Sequence, residues 1–257
     1  MSVQKLHFDQ LPVEVHPDNT ALGHVAAERT CSLLQDAIHA EGSASMIIAT
    51  GNSQLSFYAA LRAMPGIDWK RVTIFHMDEY VGIPSDHPAC FRRYLHREII
   101  DAVHPATFYE IVGDADDIPQ ECSRYAGLLR SHPAAICCLG IGENGHLAFN
   151  DPPKARFDDP DWVKVVELAI ESRRQQVGEG HFPDLNAVPR QAITLTIPAL
   201  LSAKNVLAIA PEKRKALAVR SALTGPVSSL CPASILRSTP QAILFLDNDS
   251  ASELEIP

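Results

Sequence analysis

Apolar residues fall along this chain in two alternating patterns. Short uninterrupted runs at 46–49, 72–75, 135–139, 206–210 and 242–246 have no polar face, so each predicts a strand buried on both sides within a parallel sheet. Between them lie stretches with helical spacing. The first follows Asp18, a capping residue type, sets Leu22, Val25, Ala26, Leu33, Leu34 and Ile38 near one stripe, and stops at Gly42. Further helices are predicted at 55–61, 91–103, 119–130 and 213–223, with a short one near 198–201. Residues 13–15 are expected as a short edge strand, and 108–112, 163–168 and 192–197 as extended segments.

This βαβα alternation, without an internal repeat, implies an α/β fold. A single domain over residues 1–257 is expected, with one open, mostly parallel sheet and helices on both faces, a Rossmann-like three-layer sandwich. The pattern fades at 154–161 and 177–189, where Gly, Pro and charge dominate. A lid segment is therefore expected within 152–190.

Composition narrows the partners. A net charge of −9 disfavours nucleic acid and anionic membrane surfaces, leaving room only for a local basic pocket around a small anion. The six cysteines show no C-x-x-C spacing, and Cys137 and Cys138 sit inside a predicted strand, so all are expected as buried thiols in a reducing compartment. Lys5, His7, Asp9 and Glu14 stand where a signal peptide needs an apolar core, and no apolar stretch is long enough to span a bilayer. A cytoplasmic location is expected. Arg92, Arg93 and Arg97 are expected on a solvated or subunit-contacting helix face, which leaves a homo-oligomer open.

Candidate chemistry gathers at three predicted strand ends. Thr50, Gly51, Asn52 and Ser53 form a turn between a strand and a helix, where unpaired amides and the helix dipole favour a phosphate. The strand at 72–75 delivers His76, Asp78 and Glu79 ahead of a Gly and a Pro that prevent an ordinary surface helix. The third end reads LGIGENGHLAFNDPP over residues 139–153. Its glycines match G-x-G-x-x-G, yet Pro152 and Pro153 stop the helix that a dinucleotide fingerprint requires. A metal site built from His76, Asp78, His146 and Asp151 lacks any recognised ligand spacing. Acid/base chemistry without metal or cofactor fits best, with His146 as the titrating group and Asn144 and Asp151 as its orienting neighbours.

These stretches, ATGNS, FHMDEYVGIPSDHP, GIGENGHLAFNDP and the later KALAV, run in one order from about residue 47 to 249 and resemble the glucosamine-6-phosphate deaminases. Those enzymes share a superfamily with the 6-phosphogluconolactonases, which read closer to DER and DGHTASLFP at the second and third stretches. The resemblance implies conversion of glucosamine 6-phosphate and water to fructose 6-phosphate and ammonia, with a small sugar phosphate as partner and no cofactor. It implies that His146 assists ring opening, Asn144 and Asp151 support it, and Asp78 moves a proton from C2 to C1 through an enol-amine. It further implies substrate and phosphate contacts from Thr50, Gly51, Asn52, Ser53, Glu79, Gly145, Arg173 and Lys215. Asn144 stands where many members have aspartate, and Asp151 where they have glutamate. An anion beside the imidazole must then come from Asp151 or Glu143. Residues 153–157 and an end at Pro257 do not match the allosteric members, so activation by N-acetylglucosamine 6-phosphate is not expected. Lactone hydrolysis, another amino-sugar phosphate such as the galactosamine epimer, and a sugar-phosphate sensor are the competing readings.

Overall fold

The computed structural model describes residues 3–255. The chain opens with β1 (Gln4–Phe8) and β2 (Leu11–His16), then α1 (Asn19–Glu41), β3 (Ala44–Ile48), α2 (Leu55–Leu61), β4 (Val72–His76) and β5 (Asp78–Tyr80). Next come α3 (Phe91–Leu95), a π-helical turn (His96–Ile100), α4 (Asp101–Val103), β6 (Thr107–Tyr109), α5 (Ile118–Ser131) and β7 (Ile136–Leu139). After the glycine-rich loop follow β8 (Val163–Glu167), α6 (Ile170–Gly178), β9 (Gln191–Leu195), α7 (Ile197–Leu201), β10 (Asn205–Ile209), α8 (Ala216–Thr224) and β11 (Ala242–Asp247).

Eight strands form the main sheet in the order β1-β2-β11-β10-β7-β3-β4-β6, all parallel except the β1–β2 pair. The apolar runs are central strands because successive side chains must be buried on opposite faces. Ile47, Cys137, Ala208 and Leu246 pack on one side, with Ala126 and Leu129 of α5, Leu200 of α7 and Val219 of α8. Met46, Ile48, Ile136, Cys138 and Leu207 pack on the other, with Leu22 of α1 and Phe57 of α2. Strand order reverses between β3 and β7, so the loops leaving their carboxyl ends diverge to opposite faces and open a crevice.

Three expectations change. The extended segment at 13–15 is not the edge, since β2 is covered by β1. The sheet is not single: β5, β9 and β8 form a separate antiparallel sheet. The strand β8 is only partly covered, with Val163 buried, Lys164 and Val166 half-buried and Val165 and Glu167 exposed, as suits the edge strand of a small sheet. Arg92 is not on a solvated face; its guanidinium is buried, 2.8 Å from Asp114 and 3.5 Å from Glu79. All six cysteines are buried and free.

The α1 helix begins where Asp18 accepts the Ala21 amide at 2.8 Å and ends at Gly42 in the left-handed region. It lies so close to α2 that a Cβ on Gly23 would sit 2.7 Å from the Ser56 carbonyl carbon and 2.8 Å from the Phe57 amide nitrogen. Alanine would gain about 1 kcal/mol of helix propensity there, but overpacking against backbone costs about 1–3 kcal/mol. Gly23→Ala is expected to lower the thermal midpoint; an unchanged or raised midpoint would show that the two helices can separate freely.

Candidate active site

The crevice holds a cleft of ≈ 540 Å³, counted out to its mouth. Thr50, Gly51 and Ser53 reach it from the end of β3, Met77 and Asp78 from beyond β4, Gly140 to Gly142 and His146 from beyond β7, and Lys215 from beyond β10. Gln175 and Gln176 of α6 and its C-cap Glu179 form another wall, and Phe91, Ala148 and Phe149 add an apolar side. The stretch expected as a lid thus supplies one side of the cleft.

His146 lies against bare backbone. A Cβ on Gly142 would fall 2.2–2.4 Å from the imidazole Cε1, Nε2 and Cδ2, so only glycine leaves that ring edge uncovered. On the opposite edge, Nδ1 is 3.1 Å from Asp151 Oδ1 and 3.1 Å from Ser172 Oγ. The Ser172 hydroxyl donates to Asp151 Oδ1 at 2.5 Å, which turns its lone pairs toward the ring. Both neighbours of Nδ1 are therefore acceptors, so Nδ1 holds the proton of the neutral ring and Nε2 is left as the base.

Asn144 takes a different place from the one expected. Its Oδ1 accepts the His146 backbone N–H at 3.1 Å and its Nδ2 donates to Asp151 Oδ1 at 3.1 Å, so it holds the loop and the carboxylate rather than the ring. Glu143 faces Arg214 at 3.5 Å. Asp151 is thus the anion beside the imidazole. Its Oδ2 also accepts the Ala169 amide at 3.1 Å, placing the carboxylate at the start of α6 where the helix dipole favours it. Burial alone would raise its carboxyl, but hydrogen bonding and charge from His146, with hydrogen bonds from Ser172 and Asn144, hold it down at about 2.

Asp78 lies in the opposite environment. It is buried at 6% exposure, and among the described residues its Oδ1 has no hydrogen-bond partner. Burial, reinforced by the charge of Glu79, pushes its carboxyl up to about 8. Glu79 itself is turned away from the cleft. Its oxygens accept the amides of Tyr80 at 3.0 Å, Phe91 at 3.1 Å and Arg92 at 3.0 Å, besides the Cys90 thiol at 3.2 Å. It fastens β5 to the start of α3, so the structure does not bring Glu79 to a substrate. His76 is also turned away, accepting the Ile111 amide on Nε2 at 2.8 Å. Among the described residues no group of three or more His, Cys, Asp or Glu side chains is placed to hold a metal ion.

At the other end of the cleft, Gly51 adopts φ 112 and ψ 158, a conformation strongly disfavoured for residues with a side chain, and turns the chain into α2. Lys215 is buried at 3% exposure, and among the described residues its ammonium makes no hydrogen bond or ion pair. Asn52 is directed to the Glu179 carbonyl at 3.5 Å. Gly145 lies beneath, packed on Cys231. Arg173 does not enter: its guanidinium donates to the carbonyls of Leu185 at 2.5 Å and Val188 at 3.1 Å. The cleft is therefore lined by Thr50, Gly51, Ser53, Asp78, His146 and Lys215, with Asp151 behind the imidazole; Asn52, Glu79, Asn144, Gly145 and Arg173 do not line it.

The arrangement has relatives. A family model described as glucosamine-6-phosphate isomerases/6-phosphogluconolactonase matches residues 17–245. The chain belongs to this family. Glucosamine-6-phosphate deaminases of Bacillus thuringiensis and Bacillus anthracis are each 33% identical over 226 residues, 88% of this chain and 84% of theirs. A solved monomeric glucosamine-6-phosphate deaminase superposes with a TM-score of 0.85 at 30% identity, covering 94% of this chain and 99% of that one. A 6-phosphogluconolactonase from Shewanella baltica superposes at 0.74 with 19% identity, over 91% and 97% of the two chains, a likeness of fold. The chain is a deaminase-like enzyme within the family. None of its described helices is long and apolar enough to cross a membrane.

Sequence reasoning missed Ser172, Gln175, Gln176 and Glu179 because α6 was not predicted. The helix is mostly polar, and its signal was no more than Ile170 and Val177, seven residues apart on one face.

The Asp78 environment predicts a pH-dependent stability. The unfolded carboxyl releases its proton near 3.8 and the folded one near 8, so between those values the folded state binds more protons and loses stability as pH rises. In urea titrations, the stability of wild type relative to Asp78→Asn is expected to fall from about pH 4 to pH 8 and then level. A difference that stays flat or rises would contradict the unpartnered carboxyl.

Proposed function

We propose that the cleft converts glucosamine 6-phosphate and water to fructose 6-phosphate and ammonia. The observation that carries this reading is the buried carboxyl of Asp78, whose Oδ1 has no partner among the described residues, in the same cleft as the Thr50–Ser53 turn and His146, the latter backed by Asp151 and Ser172. Two kinds of proton transfer are required, and two separately tuned groups support them.

In the first, His146 Nε2 takes the proton of the anomeric hydroxyl as the C1–O5 bond breaks and C1=O1 forms. The imidazolium then returns a proton to O5. Asp151, held ionised, stabilises that transient charge, and Ser172 keeps the ring aligned. In the second, Asp78 removes the C2 proton of the open chain while O1 takes a proton from the substrate's ammonium, giving an enol-amine, and Asp78 then returns its proton to C1. The resulting imine at C2 adds water and releases ammonia. A carboxyl pushed up to about 8 by burial and Glu79 is a strong base once ionised, and the substrate's ammonium beside it favours ionisation. The phosphate is assigned to the Thr50–Ser53 turn and Lys215, with α6 closing over the sugar as a lid. Lactone hydrolysis removes no proton from carbon and gives Asp78 no comparable task.

Ammonia release from glucosamine 6-phosphate is the test. Asp78→Asn is expected to lower kcat by about 10²–10⁴, the usual worth of a general base. Equal ammonia release by the variant, or lactone hydrolysis by an enzyme that releases none, would sink the reading. Replacing Ser172 with Ala is expected to lower kcat by roughly tenfold with little change in KM, with Thr restoring it, because the hydroxyl aligns the ring without touching the sugar. A Ser172→Ala variant with wild-type kcat would remove that residue from the account.

A further inference from the structure

The phosphate end of the cleft contains an acid that the reaction does not use. Glu179 caps the carboxyl end of α6, and its side chain is 3% exposed within the cleft lined by Thr50, Gly51, Ser53 and Lys215. The negative end of a helix is an unfavourable place for a carboxylate, so its position depends on the donors around it. Oε1 accepts from Arg214 Nη1 at 2.6 Å and from Gln175 Nε2 at 2.8 Å, and Oε2 lies 3.3 Å from His181 Nε2. Burial disfavours its charge, but His181, Arg214, Gln175 and Lys215 hold its carboxyl down at about 2. Burial pulls the Lys215 ammonium down, and the charge of Glu179 partly offsets this.

Arg214 and Lys215 are neighbours at the start of α8; Glu179 shares Arg214 with Glu212 at 2.5 Å and Glu143 at 3.5 Å, and it lines the cleft that Lys215 also enters. Lys215 lines the same cleft as the Thr50–Ser53 turn, and Arg214 precedes it in the chain. We propose that Glu179 is an internal competitor for the phosphate subsite: its carboxylate pairs with Arg214 and shares the cleft with Lys215, and a phosphate monoester must displace it to engage these cations. It therefore sets the affinity for the phosphoryl group and makes substrate entry displace the end of α6, the helix that also carries Ser172 to His146. The proposal rests on assigning the phosphate to Lys215 and the Thr50–Ser53 turn.

Inorganic phosphate is a suitable probe, because its binding requires no turnover. By titration calorimetry, Glu179→Gln is expected to bind phosphate roughly tenfold tighter than wild type, the order for removing one nearby like charge, while Lys215→Met binds it at least about tenfold more weakly. If Lys215→Met weakens binding but Glu179→Gln leaves it unchanged or weaker, the competitor role is overturned and the phosphate assignment stands. If Lys215→Met changes nothing, both fall. Wild-type enzyme gives a reading that does not depend on either variant folding. Phosphate is expected to speed amide hydrogen exchange at 175–181 as Glu179 is released, and slower or unchanged exchange there would overturn the proposal.

Discussion

A buried carboxylate is governed by what hydrogen-bonds to it, and this cleft depends on treating two of them in opposite ways. Asp151 and Asp78 are almost equally hidden, at 5% and 6% exposure. Asp151 receives Ser172, Asn144 and the Ala169 amide, stands beside His146, and stays ionised. Asp78 has an oxygen with no partner among the described residues, and burial turns it into a group that retains its proton until about pH 8. A fixed anion beside an imidazole and a reluctant acid in the same cleft are two differently tuned groups, the pairing that the proposed ring opening and C2–C1 proton transfer require. The stability given up to bury Asp78 without a partner is the cost of its basicity.

The fold delivers this contrast through its strand order. Reversal between β3 and β7 opens the crevice, so that residues far apart in sequence, the turn after β3 and the loop after β7, form adjoining walls. The small antiparallel sheet completes the arrangement. Asp78 pairs through its backbone with Thr194 in β9, and the Thr194 hydroxyl accepts the Phe149 amide at 3.0 Å. One strand thereby ties the base to the loop that carries His146. Glu79, next in sequence, uses its carboxylate wholly within the fold, gripping the start of α3. Adjacent acids therefore divide into one that faces the cleft and one that holds the fold.

Much of this was legible in the residues. Continuous apolar runs specified the central strands, and the glycines, His146 and Asp78 marked the strand ends where chemistry lies. The features that were not legible share a physical cause: they are set by tertiary contact. The strand β8 is too short and too evenly exposed to announce a second sheet, and α6 is too polar to announce a helix, so Ser172 and Glu179 went unnoticed. Proximity in sequence also placed Asn144 on the imidazole, whereas the turn sends its amide to Asp151 and to backbone. Arg173 has the charge to bind phosphate, but its guanidinium is committed to the carbonyls of Leu185 and Val188.

Division of labour between the two carboxylates is the central claim, and interconversion of the α and β anomers of glucosamine 6-phosphate isolates it. That exchange requires ring opening and closing but no proton transfer at carbon. Magnetisation-exchange NMR on Asp78→Asn enzyme is predicted to show anomer exchange accelerated as in wild type, with acceleration lost in Asp151→Ala. Loss of acceleration in Asp78→Asn, or its persistence in Asp151→Ala, would contradict the account.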